Sequence, residues 1–70
     1  MNDNLGMGRD IANHRKIKRL TQSKLAEAVG LSKGYISAIE QGRKIPRIKT
    51  LSIITECLDM ELRSLLRGRY

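Results

Sequence analysis

A compact all-α bundle of five short helices is what this 70-residue sequence predicts, and three observations predict it. Apolar residues recur at helical spacing, and no stretch reads as a plausible strand. Two segments in the middle open on a capping hydroxyl and close on glycine: Thr21 to Gly30, then Ser32 to Gly42. The chain has no Phe or Trp and only Tyr35 and Tyr70, so its core must be aliphatic. A chain of this length makes one domain with a small core, here 1–70, ordered from about residue 7 to residue 66.

The elements follow in order. Met1 to Leu5 is polar and uncapped, and reads as a frayed arm. The first helix is expected from Gly8 to Lys18, with Ile11, His14 and Arg15 inward, Met7 one turn earlier, Leu20 closing its end and Ile17 outside. Arg15 is unusual on a buried side. Its apolar stem can pack while its guanidinium finds a carboxylate, and Glu40, next to Ile39, is the candidate. His14 reads as a core-edge residue whose ring nitrogen reaches water.

From Thr21 to Gly42 the chain reads as two helices joined by a tight corner. Thr21 caps the first, and Gln22 sits among its free N–H groups. Leu25, Ala26 and Val29 recur on one side. Gly30 takes the left-handed corner, Leu31 plugs it, and Ser32 caps the next helix. Ile36 and Ile39 form that helix's stripe before Gly42 ends it. Helices this short need neighbours, which a helix-turn-helix hairpin on a small bundle provides. After the basic loop Arg43–Lys44–Ile45–Pro46–Arg47, Pro46 marks a boundary. A fourth helix is expected from Ile48 to Leu58 on Leu51, Ile54 and Leu58, with Thr50 and Thr55 bonding back to the preceding turn. A fifth runs from Glu61 to Leu66 on Leu62 and Leu65, and Arg67 to Tyr70 reads as a mobile tail.

Net charge is +7. Basic residues at 15, 16, 18, 19, 24, 33, 43, 44, 47 and 49 face only Glu27 and Glu40 across the middle of the chain. This asymmetry, coinciding with the hairpin, points to a polyanionic partner, nucleic acid. Cys57 is the only cysteine and His14 the only histidine, which excludes an intrachain disulfide and the usual zinc sites. No nucleophile–base pair or paired carboxylates suggest an enzyme, a cofactor or a small-molecule substrate. With no signal-like N-terminus and no apolar run near about 18 residues, a membrane partner is not expected and the chain reads as cytoplasmic.

The string GRDIANHRKIKRLTQSKLAEAVGLSKGYISAIEQGRKIPRIKTL resembles the phage-repressor/Cro-like (XRE-type) helix-turn-helix family of transcription regulators. The most specific pieces are LTQSKLAEAVGLS and GYISAIEQGRKIP, and the likeness runs from about Gly8 to Leu66. It implies a lambda-repressor-like bundle of five helices, the second and third forming a hairpin that binds double-stranded DNA. It matches Gln22 to a glutamine that bonds a phosphate and braces the recognition helix. Ser32, Lys33, Gly34, Ser37 and Ala38 match outward positions of that helix facing the base edges. Gln41, Arg43 and Lys44 match backbone contacts, Arg47 a position that in some members reaches toward the minor groove, and Arg15 with Glu40 an internal ion pair.

Physical chemistry supports these roles. Ser32 opens a helix whose free N–H groups and dipole suit a phosphate. Lys33 can donate to guanine O6 or N7, or to a phosphate, and Ala38 can meet a thymine methyl. Gly34 leaves the backbone bare for a close approach. Tyr35 either reaches a phosphate through its hydroxyl or covers the Gly42 loop. The sequence departs from the family pattern at His14, where Leu is usual, at Arg19, where Gly is frequent, and at Arg47, which replaces a small polar cap. A less regular corner at Arg19 and a less crisp start to helix four are expected.

One such module covers half of a two-fold operator, so a homodimer is expected. Ile53, Cys57, Met60 and Leu66 lie beside the core stripe and make the candidate interface. The reading is a sequence-specific transcriptional regulator with Ser32–Gln41 in the major groove. Phage repressor, restriction–modification controller and mobile-element regulator all fit. The alternative is a protein-interaction module such as the antitoxin of a toxin–antitoxin pair. A basic peptide acting on anionic membranes fits less well, because the apolar positions are spread over five helices.

Overall fold

Thr21 and Ser32 each hold a β-region backbone and turn a hydroxyl into the helix that follows. Thr21 Oγ1 accepts the Lys24 N–H at 3.0 Å, and Ser32 Oγ accepts the Tyr35 N–H at 3.1 Å. Each such cap contributes about 1 kcal/mol. The computed structural model describes residues 3–66, and five helices follow one another there. They are α1 (Asp3–Ile17), α2 (Gln22–Val29), α3 (Lys33–Glu40), α4 (Ile48–Cys57) and α5 (Leu62–Leu66). Met1 and Asn2 of the expected arm, and the expected tail from Arg67, lie outside the described residues.

The first four helices end alike. At each end an N–H reaches back five residues: Leu20 to the Arg15 carbonyl (3.0 Å), Leu31 to Ala26 (2.9 Å), Arg43 to Ala38 (2.9 Å) and Met60 to Thr55 (2.8 Å). The residue before each of these is left-handed, at φ 60° for Arg19, 73° for Gly30, 78° for Gly42 and 56° for Asp59. Glycine adopts that backbone freely, whereas Arg19 and Asp59 adopt it at roughly 1 kcal/mol each. The corner at Arg19 therefore keeps the same hydrogen bonds as the glycine corners, contrary to the irregularity expected there. The cost is steric.

Ile11, Leu25, Ile36, Ile39, Leu51 and Ile54 fill the centre, each 0% or 1% exposed. Met7, Leu58 and Leu65 extend this core toward the chain ends, and Leu20, Val29, Leu31 and Leu62 pack on its edge. Ile17 is 75% exposed, on the outer side of α1. His14 is half-buried, and its ring Nδ1 lies 2.9 Å from the Asp10 carbonyl, to which it donates. Thr55 Oγ1 donates to the Ser52 carbonyl at 3.0 Å, the back-bond expected of a buried helical threonine. Arg47 opens α4 with no side-chain cap, in keeping with its departure from a small polar residue.

Helix boundaries differ most at α1, which begins at Asp3 and not at Gly8. The polar, uncapped opening suggested a later start. Packing overrides it, because Met7 is 1% exposed and Gly8 is buried against α3. The other ends shift by one residue: α1 stops at Ile17, α4 at Cys57, and α5 starts at Leu62.

Candidate nucleic-acid interface

The geometry begins where α1 crosses the end of α3. A Cβ at Gly8 would lie 2.4 Å from the Ile39 carbonyl oxygen and 2.5 Å from that of Glu40, so only a bare Cα lets the two backbones meet. At the same junction Arg15 Nε donates to Glu40 Oε2 at 2.7 Å and Arg15 Nη2 to Oε1 at 3.1 Å. The third guanidinium nitrogen, Nη1, donates to the Leu20 carbonyl at 2.7 Å. Gln22 Nε2, at the start of α2, donates to Glu40 Oε1 at 3.0 Å. Glu40 thus ties together α1, α2 and α3 at one point, from which α3 projects. The Leu20 carbonyl leaves no trace in sequence, because any residue type supplies a carbonyl.

The opposite side of α3 faces solvent. Ser32, Lys33 and Gly34 are exposed, and Ser37 is half-buried one turn on. Gln41 Nε2 donates to Ser37 Oγ at 2.8 Å, and Arg43 Nε donates to Gln41 Oε1 at 3.0 Å. This polar chain runs from the middle of α3 into the loop beyond it. Lys44 holds its ammonium 5.8 Å from the centre of the half-buried Tyr35 ring. Lys33, Arg43, Lys44, Arg47 and Lys49 are all exposed, and none forms an ion pair with a described carboxylate. Cations without a partner carboxylate among the described residues, gathered along one segment, give an anion-attracting surface.

Ala38 is a correction. Expected to face outward, it is 5% exposed. The chain folds back over this turn, with the Arg43 and Lys44 N–H groups both donating to the Ala38 carbonyl, at 2.9 and 3.3 Å. A methyl is too short to rise clear of that return, so no thymine contact is assigned to it.

The proposed interface residues sit together less uniformly. Ile53 is 45% exposed on α4, whereas Cys57, Met60 and Leu66 are half-buried and pack against the core. Ile45 and Ile48, beside the basic loop, are 50% and 48% exposed and were not singled out in the sequence. On another face, Lys18 pairs with Asp59, and an open cleft of about 380 Å³ lies between Asp10, His14 and Glu61, with no α3 residue lining it. Among the described residues no group of three His, Cys, Asp or Glu is placed to hold a metal ion, and no helix is long and apolar enough to cross a membrane.

The HTH_3 family, described as helix-turn-helix, matches residues 11–65. The chain belongs to that family. Among its relatives, the ImmF control region 10 kDa protein of Bacillus phage phi105 is 42% identical over 62 residues, 89% of this chain and 69% of its own length. The transcriptional regulator SinR of Bacillus subtilis is 36% identical over 65 residues, and the chain spans only 59% of SinR's length. A crystal structure of SinR in complex with DNA superposes with a TM-score of 0.80 at 36% identity, covering 86% of this chain and 97% of that one. The restriction-modification controller protein C.AhdI from Aeromonas hydrophila superposes with a TM-score of 0.83 at 28% identity, covering 90% of this chain and 91% of that one. The phage-repressor-like architecture read from the sequence is therefore the one observed, hairpin included.

Proposed function

We propose that this chain is a sequence-specific double-stranded DNA-binding transcriptional regulator, with α3 entering the major groove and a homodimer spanning a two-fold operator. The observation that carries this reading is the free outer side of α3. Lys33, Gly34 and Ser37 face away from the core on a helix whose other side is locked by Glu40. Rigid placement matters, because groove contacts need donors and acceptors in register before DNA arrives.

The remaining candidates then fall into the phosphate-contacting role. Ser32 Oγ is engaged as a cap acceptor, which leaves its proton for a phosphate beside the α3 N-terminus. Gln22 spends one N–H on Glu40 and keeps the other. Tyr35 and Gln41 flank the groove-facing residues, and Arg43, Lys44 and Arg47 supply the charge. No step here requires catalysis: a bound dimer acts by occupying its site or by touching polymerase.

The test is selection from a random duplex pool by the full chain. A two-fold symmetric consensus, with half-sites about one helical turn apart, is expected. Enrichment of no sequence would remove the reading. Three phosphate-directed cations per protomer in a dimer also imply a slope of log K against log salt of about −5.

A further inference from the structure

α4 turns one side to the core and leaves the other bare. Leu51, Ile54 and Thr55 are buried, whereas Lys49, Ser52, Ile53 and Glu56 are exposed. At about 100° per residue these four share the side of the helix away from the core. Ile53 keeps 45% of its surface there. Lys49 and Glu56 form no ion pair or side-chain hydrogen bond with any described residue. Neither belongs to the phosphate-contacting set above. Each also lacks an opposite charge three or four residues away, where side chains on one helix meet. Lys49 and Glu56 themselves stand about 10 Å apart along the axis, two turns, which is too far to join.

The pattern is self-complementary. Lys49 and Glu56 lie at equal distances either side of the midpoint between Ser52 and Ile53. A two-fold axis through that midpoint sets α4 antiparallel against the α4 of a second copy. Ile53 then packs beside the axis against the partner's Ile53. Along one flank of that contact Lys49 faces the partner's Glu56, and Glu56 faces the partner's Lys49. A parallel arrangement would instead oppose lysine to lysine and glutamate to glutamate, and like charges so placed repel. Contact of one face with itself closes a dimer and stops further growth.

We infer that the homodimer proposed above closes through α4 packed antiparallel on the α4 of a second copy, oriented by two reciprocal Lys49–Glu56 pairs around Ile53. The inference rests on the homodimer reading and fixes its orientation and register. Burial of Ile53 supplies attraction, whereas ion pairs this exposed add little of their own. Their effect is exclusion. With either charge reversed, both crossings between the copies become like-charged.

The experiment measures sedimentation and helicity for the full chain, for Lys49→Glu, for Glu56→Lys, for the double variant, and for an equal mixture of the two single variants. Both positions are exposed, so helicity is expected to stay unchanged. Each single variant alone is expected to self-associate about tenfold more weakly than the unaltered chain. The mixture is expected to form a heterodimer, because each single variant offers the charges that the other lacks. The double variant is expected to recover self-association to within about threefold, since opposite charges face each other again. Undiminished dimers of either single variant, a mixture no more associated than its components, or a double variant as weak as the single ones would each overturn the inference, while the homodimer itself would stand. A monomeric unaltered chain would instead end the homodimer reading, and this inference with it.

Discussion

Arg15 Nε and Glu40 Oε2 meet at 2.7 Å with both side chains nearly dry, at 10% and 6% exposure. Glu40 accepts two bonds from Arg15 and one from Gln22, so its buried charge is met on both oxygens. That satisfaction is what makes burial tolerable, since an unpaired buried charge is far more costly than a paired one. The pair also fixes where α3 leaves the bundle, which links its energetics directly to recognition.

Glu40→Ala is expected to destabilise the fold by about 3 kcal/mol or more, because it strands the Arg15 guanidinium. Urea denaturation checks this. Replacing both partners by apolar residues, Arg15→Met with Glu40→Leu, should recover part of the loss, since no orphaned charge remains. A double variant no more stable than Glu40→Ala would show that the pair contributes more than compensated charge.

Gly8→Ala should cost at least about 2 kcal/mol, as α1 must move off the α3 carbonyls to admit a Cβ. The same movement tilts α3, so any folded fraction should also bind DNA less tightly. Unchanged chemical denaturation for this variant would contradict the close approach described above.

Lys33→Ala is expected to weaken operator binding by about 1–3 kcal/mol and to relax one base position, if its ammonium reads guanine. Competition binding against single-base operator variants separates the two roles. Equal weakening across all variants, with a shallower salt slope, would instead assign Lys33 to a phosphate.

Ile53→Asp places a charge on an exposed apolar position of α4. Sedimentation at micromolar concentrations is expected to show a dimer for the unaltered chain and a monomer for the variant, with unchanged helicity. A monomer in both cases would remove the proposed interface at Ile53, Cys57, Met60 and Leu66.

The caps at Thr21 and Ser32, the stop at Gly30 and the stripe of Ile36 and Ile39 were legible in the residues themselves. So was the partnership of Arg15 with Glu40 as a candidate, because an arginine on an apolar face demands a carboxylate. Ala38 was misplaced for a clear reason. Helical phase predicts which side of α3 faces the core, but not that Arg43 and Lys44 would return over the helix end. The early start of α1 was hidden likewise: a polar, uncapped opening argued against it, and contact with α3 prevailed.

What the chain's order of residues determined alone is the set of helices and, apart from the start of α1, their ends to within about one residue, because caps, corners and periodicity are settled by groups within about five positions of one another. Tertiary structure alone decided that Gly8 is indispensable, that Gly34 stands in open space and that Ala38 is hidden. Those depend on which backbone comes to lie against which, and separation along the chain carries no record of that.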